Sequence, residues 1–368
     1  MININCKFIT YILDTIAIIS LKFNAGHFSH LTANYTLISN LNRNCILYVN
    51  HKFNDLDKDS KYRICNSLSI QDYSDVSCAI FWFPSWKNIF EIVKFKFFGS
   101  AKIIYVFHEP ISSYLEFYKA GFSAFKLTRI YFINIVNKIL VLSANHILLP
   151  SKKAFEVYSK NYFVLNKRIT LIPLLFDDEN ENPESNIQKR KYISYIGTIA
   201  SDHAFSKFVG YLNFAITNNL FTDYTFLIAT SSKLSSELKE KLNKHQELGR
   251  LIVIDGSWLT NIEINEYFSK SVVVWNAYDR STQSGILPKA FMFGTPILGN
   301  ARIPNEYLID RQNGIYLESN TNFPEITGAI KDIIYNFGIY SKNCRQFFLN
   351  TFYYDNYLSH FTKIINNE

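Results

Sequence analysis

Between residues 192 and 318 the chain repeats one unit: a short β-branched or aromatic run, a polar break, then a longer stretch of helical periodicity. Strands are expected at 192–196, 224–228, 251–254 and 272–275, and helices at 204–219, 234–247 and 261–269. Fully apolar strands separated by helices cannot be joined by tight hairpins, so they form a parallel sheet covered on both faces. The same alternation precedes it. Strands are expected at 15–21, 44–50, 62–65, 77–83, 103–107, 146–151 and 169–175, with helices to about residue 41, at 86–98 and across 112–142. A chain of 368 residues is long for one core and suits two.

The boundary lies where apolar residues run out. Residues 177–191, DDENENPESNIQKRK, are charged and polar, as an interdomain linker would be. The expected division is therefore a first domain over 1–176, a linker over 177–191 and a second domain over 192–349. An aromatic C-terminal segment, about 350–368, offers Phe352, Tyr353, Tyr357 and Phe361 as an apolar face. Residues 1–14 form an extension. The run 8–21 is broken by Asp14 and lacks a basic flank and a cleavage site, so it reads as neither signal peptide nor membrane span. A cytoplasmic location is expected.

Charge is unevenly spread. Residues 1–176 carry 20 Lys and Arg against 10 Asp and Glu, whereas 177–368 carry 18 against 21. A basic first half suits anionic lipid headgroups or a phosphorylated substrate. No zinc-finger spacing, RNA-binding aromatic signature or long basic run argues for nucleic acid. The five cysteines, Cys6, Cys45, Cys65, Cys78 and Cys344, have no CxxC pair and no metal-like spacing with histidine. They read as reduced, core-packing thiols, and no metal site is expected.

Four stretches place chemistry at the C-terminal ends of strands, where an open parallel sheet forms its ligand crevice. Strand 15–21 empties into a loop with Gly26 and His27, a tight turn or a close approach to a ligand. Strand 103–107 ends in His108-Glu109-Pro110. Strand 192–196 ends in Gly197-Thr198, followed by Lys207. Strand 272–275 opens VVVWNAYDRSTQSGILPKAFMFGTPILG over 272–299, where a polar loop feeds a helix start. A helix N-terminus offers unpaired N–H groups that suit a phosphate, although a buried crossover with no ligand also fits the pattern. Residues 86–98 combine Trp86, Phe90, Phe95, Phe97 and Phe98 with Lys87, Lys94 and Lys96. They read as a membrane-interface helix or as a core helix whose lysines face water.

Ser281-x7-Lys289-Ala290 with Gly294-Thr295-Pro296, together with His108-Glu109, Gly197-Thr198, Pro150-Ser151 and Asn313-Gly314, resembles the motif series of glycosyltransferase family 4, of GT-B fold. The resemblance spans most of the chain and is strongest over 190–318. It implies an α/β protein of GT-B fold, two Rossmann-like doubly wound domains facing each other across a cleft, with the final helix crossing back to the first domain. It further implies a metal-independent, configuration-retaining transferase using a UDP- or GDP-linked sugar as co-substrate, with no separate cofactor.

By this resemblance His108 and Glu109 are the catalytic pair. Gly197, Thr198, Lys207, Arg280, Ser281, Thr282, Gln283, Ser284, Gly285 and Lys289 bind the donor, and Gly26 and His27 lie near the acceptor. The family has glutamate where this chain has Ser281 and Lys289, and an arginine or second glycine at 198. Both glutamate departures replace a carboxylate acceptor, so an altered donor preference and an inactive homologue both fit them. A lipid-linked glycan acceptor at the inner membrane face, in O-antigen or capsule synthesis, is the expected partner. A GT-B-shaped nucleotide-sugar epimerase and a non-catalytic binding protein are the two other readings.

Overall fold

The computed structural model describes residues 15–57, 60–111, 113–119, 121–162, 167–180, 188, 190–280 and 285–366. Two parallel sheets organise them. The first contains β1 (Thr15–Ser20), β2 (Asn44–Val49), β3 (Ile64–Cys65), β4 (Val76–Trp82), β5 (Lys102–Val106), β6 (His146–Leu149) and β7 (Arg168–Leu171), in the order β3-β2-β1-β4-β5-β6-β7. The second contains β8 (Tyr192–Ile196), β9 (Thr225–Ala229), β10 (Leu251–Ile254), β11 (Ser271–Trp275), β12 (Ile297–Asn300) and β13 (Gly314–Leu317), in the order β10-β9-β8-β11-β12-β13. Every paired strand in both sheets runs parallel.

The strand order reverses between β1 and β4 in one sheet and between β8 and β11 in the other. A crevice opens at each reversal because neighbouring crossovers leave to opposite faces. Central strands are buried from end to end, as IAIIS in β1 and SVVVW in β11 demand.

Helix starts follow local chemistry. Ser85, Ser123, Ser151, Ser235 and Thr260 each accept a hydrogen bond from a backbone N–H of the first turn, and Thr260 with Glu263 forms a capping box. The expected helix over 112–142 is two helices, Tyr114–Lys119 and Ala124–Ser143, because Gly121 at φ 81° breaks it and Ser123 caps a new start. The C-terminal segment holds more helix than its aromatic pattern indicates. Helix Phe337–Thr351 buries Phe337, Tyr340, Cys344 and Phe348. Helix Leu358–Asn366 then meets the first domain, where Lys102 Nζ donates to the Ile364 carbonyl and Asn40 donates to Tyr354 Oη at 3.3 Å.

The polar stretch after residue 176 is anchored at both ends. Asp178 accepts from Arg345 at 2.8 Å, and Glu179 pairs with Lys289 at 2.7 Å. Arg190, which falls in the expected linker 177–191, is buried. Its guanidinium donates to the carbonyls of Phe268, Ser271 and Phe293 and to Thr295 Oγ1, at 2.6–3.0 Å. A planar five-donor fork can satisfy several carbonyls that end separate elements, which polar composition alone does not reveal.

Candidate functional site

The two crevices face one another and share a cavity of about 310 Å³. From the first domain come the turn after β1 and the His108-Glu109 pair after β5; from the second come the turns after β8, β9, β10 and β11. Contacts across the cleft bring the walls together. Ser29 Oγ donates to Asn261 Oδ1 at 3.2 Å, Arg280 pairs with Glu109 at 3.3 Å, and His30 Nε2 lies 3.6 Å from the position a Cβ on Gly285 would take.

On the first wall the chain turns where Asn24 Oδ1 accepts from the Gly26 N–H at 3.1 Å and the Asn24 carbonyl accepts from the His27 N–H at 3.0 Å. The turn lays the His27 ring flat on Phe83, with centroids 3.5 Å apart and planes 10° from parallel. Phe83 itself sits at φ 60°, an uncommon backbone for a bulky residue, held by Asn88 Nδ2 donating to its carbonyl at 2.8 Å. Gly26 lines the cavity but has no steric need to be glycine, since an added Cβ would meet only Asn24 Oδ1 at 3.5 Å.

His108 lies 6.1 Å from His27 and 6.5 Å from His30, ring centre to ring centre, and 5.1 Å from Phe83. His30 Nδ1 contacts the Leu175 carbonyl at 3.2 Å, and its ring meets Phe176 edge-on at 4.3 Å. Burial holds all three imidazoles below the ordinary histidine range: His27 well below it and His30 down to about 3, each also lowered by the neighbouring His108, whereas His108 is lowered by burial and partly restored by Glu109. All three are neutral at pH 7, so each ring can both donate and accept a hydrogen bond, as a sugar hydroxyl requires. His27 Nδ1 is buried without a partner among the described groups.

A pH dependence follows. The unfolded chain takes up protons on these rings near pH 6.5, whereas folded His30 stays neutral down to about 3. Between those values the unfolded state binds more protons, so stability falls as pH drops. The urea midpoint is expected to fall between about pH 7 and about pH 5, and to fall less steeply in His30→Gln. Identical slopes in the two proteins would show that His30 titrates normally.

On the second wall Gly197 has φ 125°, a conformation that glycine alone adopts without strain, and an added Cβ would lie 3.2 Å from Ile286 Cδ1. Its N–H donates to the Ala229 carbonyl at 2.9 Å. His203 stacks on Tyr278 at 4.4 Å, and its Nδ1 contacts the Thr198 carbonyl at 2.7 Å.

The three expected cations differ in availability. Lys207 does not line the cavity; its Nζ is 2.7 Å from both carboxylate oxygens of Asp279. Lys289 reaches the wall but is 6% exposed, donating to Glu179 at 2.7 Å and to Asn265 at 3.0 Å. Burial lowers its pKa and Glu179 opposes that shift. Arg280 stands over the Phe117 ring at 4.2 Å and contacts Glu109 and Asp202 only through Nη1, each at 3.3 Å. Charge-assisted hydrogen bonds usually close to about 2.7–2.9 Å, so the lysines are committed and Arg280 is loosely held.

The helix opening at residue 286 spans only Ile286–Met292 and carries Pro288, which has no N–H, so it offers fewer free amides than a longer helix start. Ser281, Thr282, Gln283 and Ser284 lie outside the described residues. His30, Asp202, His203 and Tyr278 also line the cavity, and Glu179 holds Lys289 behind it, although none of the five stood out along the chain. His30 and His203 had a local signal, each following a strand-end glycine turn closely in sequence. Glu179 had none, since its partner lies far along the chain.

Facing doubly wound sheets with a cavity between their C-terminal edges constitute the GT-B fold. Solved structures with the same arrangement include a glycosyltransferase from Rickettsia africae (13% identity, 96% of this chain and 98% of that one, TM-score 0.70) and sucrose-phosphate synthase from Thermosynechococcus elongatus (12% identity, 96% and 98%, TM-score 0.69). HepE of Anabaena, in complex with UDP-glucose, matches at 11% identity over 96% of this chain and 100% of that one, with TM-score 0.69. At these identities the likeness defines the fold. No family model and no curated protein sequence matches the chain.

Proposed function

We propose that this protein is a glycosyltransferase that moves a sugar from a nucleotide-sugar donor to a glycan acceptor in the cleft. The observation that carries the reading is the pairing of walls. Three neutral imidazoles on one side face a strand-end glycine and a loosely held arginine on the other. Bond cleavage to a nucleoside diphosphate builds negative charge on the leaving group, which a preorganised cation and backbone amides stabilise. Arg280 takes that role by exchanging its two long carboxylate contacts for phosphate oxygens. Lys207 and Lys289, already closely paired, instead brace the second domain. His108 hydrogen-bonds the transferring sugar, and Gly26 and His27 border the acceptor side.

The HepE complex with UDP-glucose supports a nucleoside diphosphate sugar as donor; the donor proposed is UDP- or GDP-linked. In the proposed metal-independent reaction, protein groups, Arg280 foremost, stabilise the charge that develops on the leaving diphosphate. Glu109 and Asp202 share one arginine nitrogen, an arrangement that does not favour the separated acid and base an epimerase would use. The acceptor proposed is a lipid-linked glycan of a surface polysaccharide pathway, with the donor's anomeric configuration retained.

The test is a thermal-shift panel of UDP, GDP, ADP and CMP with their common sugar conjugates. A nucleotide at about 100 times its Kd stabilises the folded state by about 2.7 kcal/mol. One base is expected to stand out, and its sugar conjugate to be consumed when acceptor is added. No shift from any member would overturn the donor-binding reading.

A further inference from the structure

Two helices of the first domain present one continuous apolar and basic face. On helix Trp86–Phe98, Trp86, Phe90, Val93 and Phe97 recur at four- and three-residue spacing and all are exposed, Phe97 by 80%. On helix Ala124–Ser143, Phe125, Phe132, Ile135, Ile139 and Leu142 form a second outward stripe, Phe125 being 83% exposed. A helix usually turns such a stripe into its own core. The helices lie side by side: Lys96 Nζ donates to the Ser143 carbonyl at 3.3 Å, while Trp86 and Lys87 share a groove with Phe125, Arg129 and Phe132.

Charge selects the partner. Lys87, Lys94, Lys96, Lys126, Arg129 and Lys138 are all exposed on these two helices. Their one acidic residue, Glu91, is buried and engaged by Tyr73 and Lys94. A second copy of the chain would set cations against cations. A bilayer with anionic headgroups accepts both parts, with the aromatic rings in the interface and the basic heads at phosphate level. The groove also has a position that matters. Its wall is completed by Leu21, Lys22 and Phe23, and the next residues, Asn24, Gly26 and His27, line the cleft cavity.

We infer that this face docks on an anionic membrane surface and holds the mouth of the cleft against it. The inference rests on the transfer reading only for what docking serves, namely presentation of a lipid-borne acceptor; the docking itself is measured without any reaction. Full-length protein is floated with phosphatidylcholine vesicles, alone or with about 30% phosphatidylglycerol. Flotation is expected only with the anionic vesicles and should weaken between about 50 mM and about 500 mM salt. Phe97→Ser with Phe132→Ser is expected to lower partitioning at least about tenfold, as is Lys126→Glu with Arg129→Glu. Unchanged thermal midpoints would show that these surface variants fold. Flotation equal in the wild type and all variants would overturn the proposal, as would none with either vesicle. A dimer that these substitutions dissociate, without flotation, would assign the face to self-association instead.

Discussion

His108→Ala is expected to lower kcat for sugar transfer by about a hundredfold, equivalent to about 2.7 kcal/mol of transition-state stabilisation. His108 follows β5, its neutral ring is packed beside Phe83, and it faces the cavity at the meeting of the two walls. A buried neutral imidazole can donate to one sugar hydroxyl and accept from another, and an alanine leaves both without a partner. Because the ring belongs to the first wall, nucleotide binding on the second should persist. The thermal shift produced by the preferred nucleotide should stay within a few tenths of a kcal/mol of wild type. His108→Gln should recover part of the rate, since an amide also donates and accepts. Steady-state kinetics decide the matter, and turnover within twofold of wild type would remove His108 from the reacting centre.

The second large effect concerns stability. Lys289→Met should leave Glu179 facing an apolar side chain in a largely buried site. Removing one member of a buried pair costs about 3–5 kcal/mol, and the lower end is expected because the Glu179 side chain keeps 22% exposure. Glu179→Gln added to Lys289→Met should recover most of that loss, because neither charge then remains to be desolvated. Urea unfolding of the two single variants and the double variant measures the coupling directly. Nucleotide affinity should change less than tenfold in the double variant. Intact stability with lost nucleotide binding would instead place Lys289 on the ligand. The same pair ties the segment after residue 176 to the second domain, so its loss should also loosen that junction.

Much of the architecture was legible from local pattern. β8 and β10 and helix Trp86–Phe98 occupy the spans expected from periodicity, because buried parallel strands are short apolar runs and helices are capped by nearby side chains. The positions of Gly197 and His108 at strand ends were equally local. Glycine-bearing and polar breaks after apolar runs had to fall at the C-terminal edge of a sheet.

What each charged side chain does was not local. Lys207 and Lys289 look like phosphate ligands along the chain. In space Asp279 and Glu179 occupy them, while Arg280 makes longer carboxylate contacts, 3.3 Å each to Glu109 and Asp202, beside its stacking on Phe117. Ion pairing depends on distances of a few ångströms between residues far apart in sequence, and no periodicity encodes them. Arg190 shows the same limit: its polar surroundings in sequence suggest solvent, yet four acceptors from separate elements converge on it. The sequence by itself determined two doubly wound sheets and the strand ends that carry chemistry. Only the tertiary structure decided which of those groups share a cavity and which cations remain open to a ligand, because burial and pairing are set by what the rest of the fold brings alongside.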